Sequence, residues 1–156
     1  MIDIYTASQR LLRHEGLRLQ PYFCAKGKLT IGVGRCLDTN PLSPEEARAV
    51  GDWRHGITKN AALFLLRNDI DRVFAGLKKR IRFFKDLDDE RQYALVDMGF
   101  NLGVGGVLRF KKMLSALAQK DYETAEKECL ESDYARTTGQ RARRIAHTLR
   151  TGEFKW

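Results

Sequence analysis

"HEGLRLQPYFCAKGKLTIGVGR" (His14–Arg35) is the stretch whose reading decides the fold. Leading into it, Ile4, Ala7, Leu11 and Leu12 recur at helical spacing, and Gly16 supplies a stop, which predicts a first helix over residues 2–15. Leu17, Leu19, Tyr22 and Phe23 then switch to a looser, strand-like pattern. "AKGK" reads as a turn, and "LTIGVG" (29–34) as a second strand rich in β-branched residues. Glycine weakens a strand, so Gly32 and Gly34 predict a sharp bend or the close approach of another backbone.

Downstream, the pattern is mostly helical. In "NPLSPEEARA", Ser43 can cap a helix, Pro44 suits its first turn, and Glu45 and Glu46 favour the positive dipole end. The longest helical pattern runs from Thr58 to about Lys79. There Ala62, Leu65, Leu66, Asp69, Val73 and Leu77 share one flank, widened by Phe64, Ile70 and Phe74. After Asp86 helix is expected almost to the end, with breaks at "NLGVGG" (101–106), near Asp121 and around "TTGQ" (137–140). No internal repeat or low-complexity tract interrupts this order. The fold class is α+β: a first helix, a small β-rich lobe, a long connecting helix and a larger helical lobe, with a cleft expected between the lobes.

Composition excludes several function classes. In a chain of 156 residues, 43% apolar content supports one compact unit with a true core. No run of about 18 apolar residues is present to span a bilayer, and "MIDIYTASQRLLRHEG" lacks the apolar segment of a signal peptide. Cys24, Cys36 and Cys129 are irregularly spaced, and His14, His55 and His147 are scattered, so neither a disulfide framework nor a metal site is expected. No cofactor motif occurs. The net charge of +8 points to a polyanionic partner. It gathers in "LKKRIRFFK" (77–85), "RFKK" (109–112) and "RARR" (141–144), which read equally as solvated helix faces. Without a zinc-finger, RNA-binding or basic-zipper signature, nucleic acid is not the expected partner.

A glutamate closing a helix is chemically notable. The free carbonyls and the negative dipole end disfavour an ionised carboxylate there, which is what a general acid requires. Glu15 alone reads as readily as a solvated residue beside a helix-ending glycine. Its surroundings decide otherwise: Glu15, Gly16, Tyr22, Thr30, Gly32 and Gly34 closely resemble, without a gap, the site motif of the phage-type lysozymes, glycoside hydrolase family 24. The resemblance continues through "GITKNAALFLLRNDIDRV", "ALVDMGFNLG" (94–103) and "QRARRIAHTLRTGEF" (140–154), so it covers nearly the whole chain in order.

The resemblance implies one lysozyme-like domain over 1–156. Its β-rich lobe would occupy about 16–57, its connecting helix about 58–79, and its helical lobe about 80–156 together with the first helix. It implies hydrolysis of the β-1,4 bond between N-acetylmuramic acid and N-acetylglucosamine in peptidoglycan. Glu15 would protonate the leaving oxygen, and Thr30 would help hold the attacking water. Phe100 and Asn101 would line the sugar cleft, and Arg141 would lie near the catalytic glutamate. By residue type alone Phe100 reads equally as a core aromatic, and Arg141 as a surface cation.

Two positions depart from the family pattern. Arg35 stands in place of the usual histidine, and can pair with Asp69 on the long helix. Cys24 stands where an aspartate is usual. A thiolate can serve as base, charge stabiliser or nucleophile, and Lys26 and Lys28 are close enough in sequence to favour it. A Cys24–Cys36 disulfide would silence it. The partner expected is therefore peptidoglycan, bound by a monomer without stable membrane insertion. The place of action is the wall, reached from the host cytoplasm on release. The alternatives are a non-catalytic peptidoglycan-binding protein and a lytic transglycosylase, which needs only one acid/base glutamate.

Overall fold

The computed structural model describes residues 2–156. They group into two compact units, residues 4–71 on the one hand and residues 2–3 with 72–156 on the other.

The first unit begins with α1, Ile4–Glu15. Ala7, Ser8 and Leu11 form its buried stripe. Gly16 ends it at φ 77°, a conformation glycine adopts without a Cβ clash, while its N–H donates to the Leu12 carbonyl at 2.8 Å. Glu15 is therefore the last helical residue. Three antiparallel strands follow in the order β1 (Arg18–Phe23), β2 (Leu29–Gly32) and β3 (Arg35–Cys36). The pairing registers Tyr22 opposite Thr30 and Thr30 opposite Cys36, with an irregularity between Arg18 and Tyr22. Pro21 lies within that irregularity on an edge strand, where its missing N–H is tolerated.

The strand expected over 29–34 stops at Gly32. Gly32 and Gly34 both have positive φ (68° and 70°), so the chain reverses and returns as β3, which the sequence pattern did not signal. Helix α2, Pro44–Val50, carries the reciprocal bonds of a capping box between Ser43 and Glu46. The buried residues Ile31, Ile57, Ala61, Ala62 and Leu65 form this unit's core, with Leu17, Leu37, Leu42, Val50 and Trp53 packed against it.

Helix α3, Lys59–Arg80, matches the expected long helix. The division between the units falls inside it, after Asp71, and not at its end. α1, expected to join the helical lobe, groups with the sheet, because its last turn lies against Gly34.

The second unit is helical: α4 (Asp89–Leu108), α5 (Lys111–Ala118), α6 (Tyr122–Leu130), α7 (Asp133–Thr138) and α8 (Gln140–Thr151). Of the expected breaks, 101–106 is a kink at Gly103 within α4 (φ 77°, ψ 159°), Asp121 caps α6, and Gly139 separates α7 from α8. Ser132, capping α7 through the Ala135 N–H, marks a break that was not foreseen. Leu77, Phe84, Tyr93, Leu95, Met98, Met113, Leu117 and Ile145 fill the core. Gly99 permits tight packing there, since a Cβ in its place would stand 2.6 Å from Val73 Cγ1. Among the described residues, no helix is long and apolar enough to cross a membrane.

Candidate active site

Glu15 is placed by the end of α1. A Cβ on Gly34 would lie 3.1 Å from its Oε2, so the carboxyl group rests against the glycine backbone of the β2–β3 turn. The sharp bend anticipated at the Gly-x-Gly pair is real, whereas the close neighbour of Gly34 is the Glu15 side chain and not another backbone. At Gly32 it is Ala62 of α3, 3.5 Å from the hypothetical Cβ.

Cys24 opens the turn between β1 and β2. Its N–H donates to the Lys28 carbonyl at 2.9 Å, and its own carbonyl accepts from the Gly27 N–H at 2.8 Å. The thiol is free and half-buried. Main-chain hydrogen bonds at Lys28 and then Lys26 hold it below the ordinary cysteine range, against slight burial. The two lysines were expected to act through their ammonium charges. They act instead through the peptide groups of a tight turn, a source salt cannot screen away.

Tyr22 ties these groups together. Burial raises its phenol above the usual value. The Arg18 guanidinium, 4.4 Å from the ring centroid, opposes that, and the charges of Glu15 and Cys24 both reinforce it. Opposite Tyr22, Thr30 is buried, and its hydroxyl donates to the Lys28 carbonyl at 3.0 Å. A hydroxyl has one proton and two lone pairs, so Thr30 keeps acceptor capacity for a water.

Arg35 is buried and has a function in packing. Its Nη1 donates to Asp69 Oδ1 at 3.0 Å and to Glu46 Oε1 at 3.3 Å, and its Nη2 donates to Glu46 Oε2 at 2.6 Å. Nε reaches the Asn40 carbonyl at 2.9 Å and Nη2 the Pro41 carbonyl at 3.4 Å. All five guanidinium N–H groups are thereby engaged. The pair with Asp69 follows expectation, whereas Glu46 went unrecognised as a second partner. Burial would raise the Glu46 carboxyl, but Arg35, the Ser43 N–H and Asn68 together bring it down to about 2.

Phe100, Asn101 and Arg141 belong to the second unit. Phe100 is half-buried and Asn101 exposed, just before the Gly103 kink. Arg141 Nε donates to Asp97 Oδ1 at 2.7 Å, and Asp97, fully buried, also accepts from the Tyr93 hydroxyl at 2.8 Å. Arg141 is thus an anchored cation and not a loose surface one. Asp97 was missed, although a lone acid inside "ALVDMGF" signals a buried charge that needs a partner.

The remaining cysteines differ from Cys24. Cys36 is half-buried and free; Cys129 is buried, and burial, with the nearby Glu126 charge, pushes its thiol up to about 12. No Cys24–Cys36 disulfide forms, so the thiol beside Tyr22 stays available.

Glu15 at the end of a helix, Cys24 in the following hairpin turn and Thr30 opposite Tyr22 belong to a small antiparallel sheet unit followed in the chain by a helical one, the lysozyme-like fold of glycosidases of the muramidase class. The chain belongs to the phage lysozyme family, whose pattern it matches over residues 12–147. It is similar to the pre-baseplate central spike protein Gp5 of Enterobacteria phage T4, 30% identical over 161 residues, covering 95% of this chain but 28% of that protein. It is also similar to probable T4-type lysozyme 1 of Dictyostelium discoideum, 29% identical, covering 88% of this chain and 89% of the relative. An endolysin of Acyrthosiphon pisum secondary endosymbiont phage 1 is 31% identical over 83% of this chain and 78% of its own length.

Proposed function

We propose that this protein hydrolyses peptidoglycan at the β-1,4 bond between N-acetylmuramic acid and N-acetylglucosamine, with Glu15 as the general acid and Cys24 with Thr30 on the water side. The observation that carries this reading is the seat of the Glu15 carboxyl group against Gly34, in the turn between the strand that holds Thr30 and the next. Phe100, Asn101 and Arg141 contact the sugars.

The protonated Glu15 carboxyl gives its proton to the glycosidic oxygen as the bond to the anomeric carbon breaks. A water held by Thr30 attacks that carbon from the opposite face and loses a proton to the Cys24 thiolate. An α-anomeric sugar leaves, and solvent returns the proton from Cys24 to Glu15. General acid catalysis of this kind contributes about 10²–10⁴-fold to the rate.

The test of Glu15 is clearing of outer-membrane-permeabilised Gram-negative cells. Glu15→Gln should fold as the parent does and lose clearing by at least about 10²-fold. A folded Glu15→Gln protein that clears at the parent rate contradicts the assignment. An anhydro-sugar product from the parent protein would show a transglycosylase.

A further inference from the structure

The three basic runs of the sequence meet different surroundings. Arg109, Lys111 and Lys112 line a cavity of about 740 Å³ whose wall also carries Glu128 and Glu131, so carboxylates stand among these cations. In 141–144, Arg141 is bound to Asp97, and the Arg144 guanidinium lies 5.5 Å from the ring centroid of Trp156. The third run covers the end of α3 and the turn after it. Lys78, Lys79, Arg80, Arg82 and Lys85 are all exposed there, and among the described residues none of the five has an ion-pair partner.

The fold explains part of this run. Cations in a last helical turn oppose the negative end of the dipole, which accounts for Lys78, Lys79 and Arg80. Arg82 and Lys85 lie beyond the helix end and gain nothing from it. Of the interleaved apolar residues Ile81 and Phe84 are turned inward, at 4% and 0% exposure, and Phe83 is half-buried, so the outer face is mainly cationic. Of the acids that follow, Asp86 adjoins Lys85 at the end of the run, and Asp88 is engaged by Arg91 at 2.7 Å. Five like charges within eight residues repel one another inside a screening length of about 8 Å at physiological salt.

We propose that this face, Lys78 to Lys85, docks a phosphate-bearing polymer of the cell envelope and holds the enzyme on the wall. The proposal rests on the peptidoglycan-hydrolase reading for its setting. Such a polymer carries charge on every repeat, matching the density of the cations. A bilayer fits less well, because no exposed apolar side chain in the run would enter the headgroup region.

The test compares Lys78→Gln/Lys79→Gln/Arg82→Gln with Arg48→Gln/Lys59→Gln/Lys127→Gln, which removes the same charge from scattered exposed sites. Both sets are made in a Glu15→Gln background so that the wall persists during the measurement. Co-sedimentation is measured on walls carrying phosphodiester-linked polymers and on the same walls stripped with hydrofluoric acid. The unaltered surface should prefer intact walls by at least about tenfold. The patch variant should lose that preference and the scattered variant should keep it. Equal loss in both variants, patch-dependent binding that survives stripping, or a loss seen only on anionic vesicles or duplex DNA would overturn the proposal. Because hydrolysis is not read here, this result and the clearing assay can fail independently.

Discussion

Arg35 and Cys24 both depart from the phage lysozyme pattern, and the structure treats them in opposite ways. Arg35 is buried and meets five acceptors drawn from the loop after β3, α2 and α3. Cys24 is half-buried at the rim of a turn, contacted chiefly by peptide groups. One departure has been absorbed into packing, where it joins three segments. The other keeps a free thiol at a hairpin turn, where we propose that it acts in hydrolysis. A residue's environment decides which departures become structure and which remain chemistry.

The comparison predicts its largest effect at Arg35. Arg35→Ala leaves Glu46 and Asp69 buried without their shared cation, and removing one partner of such a cluster costs about 3–5 kcal/mol. Chemical denaturation should show that loss. A variant within about 0.5 kcal/mol of the parent would mean that the cluster is better solvated than its geometry indicates.

Acid should sharpen the same contrast. The Glu46 carboxyl lies well below its ordinary 4.5, at about 2, so its contribution is fully present above pH 4.5. It is lost as pH falls through about 2. Unfolding free energy measured over that interval should fall in the parent. The slope should be shallower in Glu46→Gln, which starts from lower stability. An unchanged slope in Glu46→Gln would assign the acid sensitivity elsewhere.

Gly34→Ala should have a smaller effect on stability and a clear one on turnover. The positive φ penalises alanine by roughly 1–2 kcal/mol, and its methyl group would press on Glu15 Oε2. The expected signature is a reduced kcat in a protein that still folds. Parent-like turnover would show that the seat at Gly34 does not position the acid.

Much of the first unit was legible because its signals are local. Positive φ at Gly32 and Gly34, the stop at Gly16 and the Ser43–Glu46 capping box each follow from a few adjacent residues. Strand β3 was not legible, since two residues are too few to carry a periodicity. Glu46 was read as a capping acid, and its second role depends on Arg35 and Asn68 arriving from distant parts of the chain. The same holds for Asp97, whose place in an apolar run shows that a partner is needed but not that Arg141 supplies it. The source of the low Cys24 pKa was misread because nearby lysines suggest charge, whereas turn geometry aims peptide groups.

The central claim is that Cys24 remains chemistry, and the most direct test joins substitution at that position to the identity of the first-formed sugar anomer. Stability should change least here, within about 0.5 kcal/mol for Cys24→Ala, because no buried partner is orphaned. Activity should fall in Cys24→Ala and after alkylation of the thiol, and should be kept or raised in Cys24→Asp. NMR of freshly cleaved glycan should show the α-anomer, as water attack assisted by the thiolate requires. Full activity in both Cys24→Ala and the alkylated enzyme would contradict a chemical role for this cysteine, and a β-anomer with a trapped sugar–sulfur adduct would contradict the water route.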